Sequence, residues 1–169
     1  MVCLGNICRS PLAEGIFKHQ AREIGLNATV DSCGTANYHV GEAPDRRSIA
    51  KASEYGINIA NLRGRQFNVS DFDEFDHILV MDHANYDNVC RLARNSEDIN
   101  KVSLILSHHP ENREEEVPDP YYGGEEGFEQ VYQLLNVACR HFINQLMHHE
   151  KQLYRRIDFC HIRAHLAGS

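Results

Sequence analysis

The chain has 169 residues, 42% of them hydrophobic, and a formal net charge of −7. That length gives one domain whose core needs no disulfide or metal staple, and no run approaches the roughly 18 apolar residues of a membrane span. The acidic balance excludes general nucleic-acid binding, which needs a basic surface, while six cysteines without a C-x-x-C pair fit a reducing cytoplasm better than a disulfide framework or a structural zinc site.

Taken in chain order, the elements alternate. Only Met1 and Val2 precede Cys3, so a first strand is nearly missing, and no secretory signal is visible before Pro11. Ser10 and Pro11 open a helix, Ser10 as N-cap and Pro11 at the first helical position. Leu12, Gly15, Ile16, His19 and Glu23 continue it, and Gly25 ends it. Ala28 to Cys33 reads as a strand, Asp45 to Tyr55 as a helix stopped by Gly56, and His77 to Met81 as a strand. Ala84 to Arg94 reads as a helix and Lys101 to Leu106 as a strand. A long helix begins near Gly124, with Phe128, Val131, Leu134, Leu135, Ala138, Phe142 and Leu146 on one face.

This alternation predicts an α/β fold. The expected form is a three-layer sandwich on a four-stranded parallel sheet, flavodoxin- or Rossmann-like. Ligand sites in such sheets lie at the C-terminal ends of strands. One domain is expected over residues 1–147. Residues 148–169 are expected to form a C-terminal tail, helical or disordered, with Leu153, Ile157, Cys160 and Ala164 as an amphipathic stripe. A two-residue first strand is expected to leave its neighbours with unpaired main-chain groups and a partly empty groove, and so to lower stability. Cys33, Cys90, Cys139 and Cys160 read as core or incidental thiols. His108, His109, His148, His149 and the run Glu114 to Glu116 read as solvated.

The chemistry concentrates in "CLGNICRSP". Cys3 and Arg9 form C-x5-R, a spacing that carries little alone. Its context adds meaning. Gly5 and Asn6 permit tight or left-handed turns, so successive N–H groups can converge on an anion. The loop enters a helix N-terminus, which also favours negative charge. Arg9 adds a planar fork for two oxygens. A thiol in such surroundings ionises readily.

The same stretch resembles the phosphate-binding loop of the low-molecular-weight protein tyrosine phosphatases. "DSCGT", "VGEAPDRR", "DFDEFDHILVMD" and "DPYYGG" are similar to further family segments in the family's order, over about residues 2 to 147. The resemblance implies hydrolysis of phosphotyrosine in proteins and of small aryl phosphates. Cys3 is then the nucleophile, Arg9 and the amides of Leu4, Gly5, Asn6, Ile7 and Cys8 the phosphate cradle, and Asp119 the general acid and base. Asn6 shapes the loop, Ser10 hydrogen-bonds the sulfur, and Ser32 belongs to the network beneath. Tyr38, Tyr121 and Tyr122 line the mouth, and the last two are candidates for phosphorylation. Cys8 is placed to trap oxidised Cys3 as a disulfide.

No cofactor, metal, nucleic acid or membrane insertion is implied. The expected partners are phosphotyrosine proteins, with weak self-association as a further expectation. Three alternatives share the loop. A thioredoxin-coupled arsenate reductase would need a further cysteine close to Cys90, and none lies within ten residues. A phosphoarginine phosphatase would carry Thr where Ile7 stands. A catalytically weak phosphate-binding module would follow from the shortened first strand. Asn61 and Leu62 stand where animal members of the family often carry a supporting His.

Overall fold

A computed structural model describes residues 1–111 and 116–166, with side chains up to residue 149 at the C-terminal end. The sheet contains β1 (Val2–Cys3), β2 (Cys33–Gly34), β3 (Ile78–Val80) and β4 (Val102–Leu104), in the order β2-β1-β3-β4 and parallel throughout. Val2 lies opposite both Cys33 and Val80, so β1 is central. Its two side chains go to opposite faces, as the pleat requires. Cys3 joins the larger apolar cluster and Val2 the smaller.

The larger cluster packs the sheet against α1 (Arg9–Glu23), α2 (Arg46–Glu54) and α6 (Gly124–Leu166), with Leu12, Ile16, Val131 and Leu135 fully buried. The smaller lies under α3 (Asp71–Glu74) and α4 (His83–Cys90), around Phe72, Val80 and Val89. Both faces of the sheet are therefore covered, which is why its strands, Ser103 apart, are runs of apolar or small residues rather than alternating. The α/β three-layer expectation holds. Gly25 and Gly56 end α1 and α2 with positive φ of 70° and 73°, as a left-handed helix stop requires.

Several boundaries differ. The strand expected over Ala28 to Cys33 contracts to Cys33–Gly34. A strand is defined by its neighbour, and β1 pairs no further back than Val2; the Met1 ammonium donates to Asp31 O, where the ladder stops. Beside Met1 a groove of about 520 Å³ is lined by residues 27–31 and 74–77, at the N-terminal ends of the two runs, Ala28 to Cys33 and His77 to Met81, that the sequence reads as strands. Ser10 is not the N-cap of α1. Cys8 holds that position without a side-chain bond, and Ser10 turns inward toward Cys3. Pro11 still falls in the first turn, where its missing N–H costs nothing.

The strands at His77 and Lys101 shorten to β3 and β4, and Ile105–His108 coils into a 3₁₀ turn. The helix expected to reach Arg94 ends at Cys90. Arg94 instead pairs with Asp98 and Asp73, beside the unforeseen α5 (Ser96–Asn100). His108 is not simply solvated: its ring sits 4.4 Å from that of Phe142, and Nδ1 pairs with Gln145. Cys33 and Cys139 are buried core thiols and Cys90 is half-buried. Glu114, Glu115 and the tail side chains Leu153, Ile157, Cys160 and Ala164 lie outside the described residues, although the backbone of α6 runs helical to Leu166.

Candidate active site

The loop from Cys3 to Arg9 joins the C-terminal end of β1 to the N-terminus of α1. Asn6 is the only non-glycine described residue with positive φ, at 56°. That conformation costs about 1–2 kcal/mol for an ordinary residue, and the Asn6 side chain offsets it with three hydrogen bonds. Its Oδ1 accepts from Arg65 N at 3.0 Å. Its Nδ2 donates to Ser10 Oγ at 2.8 Å and Ser32 Oγ at 3.0 Å. The turn brings Asn6 N to 3.2 Å from Cys3 Sγ, and Ser10 Oγ lies 3.1 Å from the same sulfur.

The loop leans on the segment after β2. Thr35 N donates to Cys3 O, and Ala36 N to Leu4 O, both at 2.9 Å. A Cβ on Gly34 would stand 2.7 Å from Leu4 O. Only glycine lets the two backbones approach this closely.

Arg9 is 4% exposed, and a buried guanidinium needs partners, since stripping one from a buried pair costs about 3–5 kcal/mol. Its NH1 donates to Asp82 Oδ2 at 2.7 Å and to Val117 O at 3.2 Å. Its NH2 faces Asp119 Oδ2 at 3.4 Å. Asp82 is anchored independently: its Oδ1 accepts from Asn85 N and caps α4. Thus β3 and α4 aim Arg9, while the longer contact to the half-exposed Asp119 is the one that an entering anion can replace.

Asp119 Oδ1 accepts from Tyr121 N at 3.0 Å, capping the short turn Pro120–Tyr122. Arg47 holds this turn from α2. It donates to Tyr121 O at 2.9 Å and lies 5.2 Å from the Tyr121 ring centroid and 4.8 Å from that of Phe128. Its other partner, Asp45, caps α2 and gives its own N–H to Ile7 O at 2.8 Å. The phosphate loop and the acid turn are therefore tied through residues 45 and 47.

A cavity of about 280 Å³ opens here. Every loop residue picked from the sequence lines it except Asn6 and Ser10, which lie beneath with Ser32. Asp119, Tyr38, Tyr121 and Tyr122 complete the wall. Tyr38 and Tyr122 stand out at the rim, 72% and 93% exposed, and the rings of Tyr121 and Tyr122 meet edge to face at 5.0 Å. The groove beside Met1 is larger, but it is lined by no thiol, lysine or arginine side chain.

Four contributors escape the sequence reading: Asp82, Glu14, Arg47 and His39, the last lining the cavity and paired with Glu42. Asp82 had a signal, a carboxylate between an apolar strand and a helix start. The two loop cysteines differ in environment. Burial, with Asp45 nearby, pushes the Cys8 thiol up to about 12. Iodoacetate at neutral pH is accordingly expected to label Cys3 and spare Cys8, read by peptide mass spectrometry; labelling of Cys8 at a comparable rate would show that this burial does not hold in solution.

Known proteins agree with this geometry. The family model for low molecular weight phosphotyrosine protein phosphatase matches residues 1–153. A putative low molecular weight protein-tyrosine-phosphatase of Synechocystis is 46% identical over 147 residues, covering 86% of this chain and 93% of that protein. The fission-yeast enzyme, from Schizosaccharomyces pombe, is 39% identical with 86% and 94% covered. Among solved structures, a protein tyrosine phosphatase of Entamoeba histolytica superposes with a TM-score of 0.84 at 36% identity, covering 88% of this chain and 96% of that one. A Drosophila arginine phosphatase superposes with 0.80 at 32% identity, covering 86% and 94%. With 153 residues matched by the family model and relatives of 46% and 39% identity covered over 93% and 94% of their length, the chain belongs to the low molecular weight phosphotyrosine protein phosphatase family.

Proposed function

We propose that the chain hydrolyses phosphotyrosine in proteins, and small aryl phosphates, through a phosphocysteine intermediate on Cys3. One observation carries this most directly. A buried sulfur, a buried guanidinium and a half-exposed carboxylate face one cavity, with Arg9 NH2 3.4 Å from Asp119 Oδ2.

The steps follow from the groups present. A phosphate monoester enters with its oxygens toward Arg9 and the loop N–H groups, displacing the Arg9 contact to Asp119. The Cys3 sulfur attacks phosphorus in line with the ester oxygen. As the P–O bond breaks, Asp119 gives its proton to the leaving phenolate. Water then attacks the phosphocysteine and loses its proton to Asp119, and the S–P bond breaks to release phosphate. The N–H groups and Arg9 stabilise the equatorial oxygens in both transition states. Asn6 N and Ser10 Oγ stabilise negative charge on the departing sulfur. The tyrosine rim offers flat apolar surface to an aryl group. These roles call for neither metal nor cofactor.

A reducing cytoplasm suits the chain: the five cysteines whose side chains are described are free thiols. No described helix is long and apolar enough to cross a membrane. Residues 1–147 form the catalytic domain in this reading, and 148–169 an appendage to it.

Phosphate release from matched peptides carrying phosphotyrosine, phosphoserine or phosphoarginine tests the substrate class. Preference for phosphotyrosine of about 100-fold or more is expected, the scale that a shaped apolar pocket can supply. Equal or faster turnover of phosphoarginine would replace the substrate class proposed here.

A further inference from the structure

The hydrogen bonds beneath the loop have a direction, and it can be traced from one end. Asn6 Oδ1 accepts a backbone N–H from Arg65. This fixes the amide, because a flipped side chain would set NH₂ against N–H. Asn6 Nδ2 therefore donates twice, to Ser10 Oγ and to Ser32 Oγ. Ser32 has one proton, and it goes to Glu14 Oε2 at 2.6 Å. Ser10 accepts from Asn6, so its own proton is left for Cys3 Sγ at 3.1 Å or Cys33 O at 3.3 Å.

Glu14 closes this chain at the far end. It is 2% exposed, on the inward face of α1. Its other oxygen, Oε1, takes Lys18 Nζ at 2.5 Å, and the Lys18 side chain is 39% exposed. The ammonium supplies the counter-charge that a buried carboxylate needs.

We infer that Glu14, held by Lys18, is a positioning residue for the phosphatase reaction: it polarises the Ser32–Asn6–Ser10 chain so that the Ser10 hydroxyl proton is presented to the Cys3 sulfur. The inference rests on the functional reading above, but its test does not require turnover. Glu14→Gln keeps the shape and reverses the polarity. A glutamine NH₂ aimed at Ser32 would turn the serine proton toward Asn6 Nδ2, donor against donor. Asn6 must then yield, and the sulfur loses the support of both Asn6 N and Ser10 Oγ. Aspartate in place of Glu14 keeps the charge but shortens the reach.

The measurement is the rate of Cys3 alkylation by iodoacetate as a function of pH, with folding checked by circular dichroism. In Glu14→Gln the profile is expected to move to higher pH, with at least a tenfold slower reaction on its acid side. Phosphatase kcat should fall more than KM rises. Ser32→Ala, which removes no charge, should move the profile the same way and serves if the glutamine variant does not fold. The Glu14→Gln/Ser32→Ala double variant should be no worse than the worse single one, because Glu14 acts only through Ser32.

Neither substitution removes a charged group facing the sulfur and its loop (Arg9, Asp82, Asp119, His39) or one of those around Glu14 (Lys18, His19, Arg22). A wild-type profile in either single variant, or additive losses in the double variant, would overturn the inference. A shifted profile in a protein with no phosphatase activity would keep the inference about the sulfur and remove the functional reading instead.

Discussion

Cys3→Ser should reduce hydrolysis of aryl phosphates by roughly 10⁴-fold or more, the scale seen when a covalent nucleophile is removed. The reason is specific to this site. A serine hydroxyl needs a base to take its proton. The side-chain group that meets the sulfur is the Ser10 hydroxyl, 3.1 Å away, and it is not a base. Asn6 N donates to the sulfur, which suits a negative charge there and is useless for deprotonating an alcohol.

The rest of the cradle survives the substitution. Arg9 remains aimed by Asp82 and Val117 O, and the loop is still braced by Arg65 N on Asn6 and Thr35 N on the carbonyl of residue 3. Inorganic phosphate should therefore still protect the variant against heating, within a few-fold of its effect on the wild type. Loss of turnover with retained binding separates chemistry from folding. Turnover near the wild-type level in the serine variant would remove Cys3 as the nucleophile.

What could be read in advance divides by sequence distance. The loop was legible because its parts lie within eight residues, and its Gly, Asn, Cys and Arg have mechanical reasons to be together. The layers were legible because apolar runs alternated with helical periods. The contacts that aim the loop were not. Arg9 meets Asp82 across 73 positions and Arg47 reaches Tyr121 across 74; only the order β2-β1-β3-β4 brings such pairs together. Ser10 shows a local rule overridden. Its place before a helical run reads as a cap, yet satisfying one orphan N–H is worth about 1 kcal/mol, and here the hydroxyl serves the sulfur and the Asn6 amide instead. The contraction of Ala28 to Cys33 has the same origin: β-propensity describes a residue's fit to a neighbour, and a strand forms only where that neighbour runs.

Asp119→Asn is the second large effect expected, and it depends on the substrate. For phenyl phosphate, whose leaving group departs as a strongly basic phenolate, the loss should be roughly 10²–10⁴-fold, the usual contribution of a positioned acid. The substitution leaves the turn intact, because asparagine Oδ1 can still accept from Tyr121 N and asparagine caps as well as aspartate. Its second atom becomes a donor beside Arg9 NH2, removing a 3.4 Å contact that is already long. Arg9 itself stays held by Asp82. The difference that bears on the leaving group is thus the one proton. A leaving group that departs readily as an anion does not need that proton, so esters of acidic phenols should lose much less in their first step. A plot of log kcat/KM against leaving-group acidity should be nearly flat for the wild type and steep for the variant. Parallel plots, with equal losses from the least to the most acidic phenol, would assign the proton to a group other than Asp119.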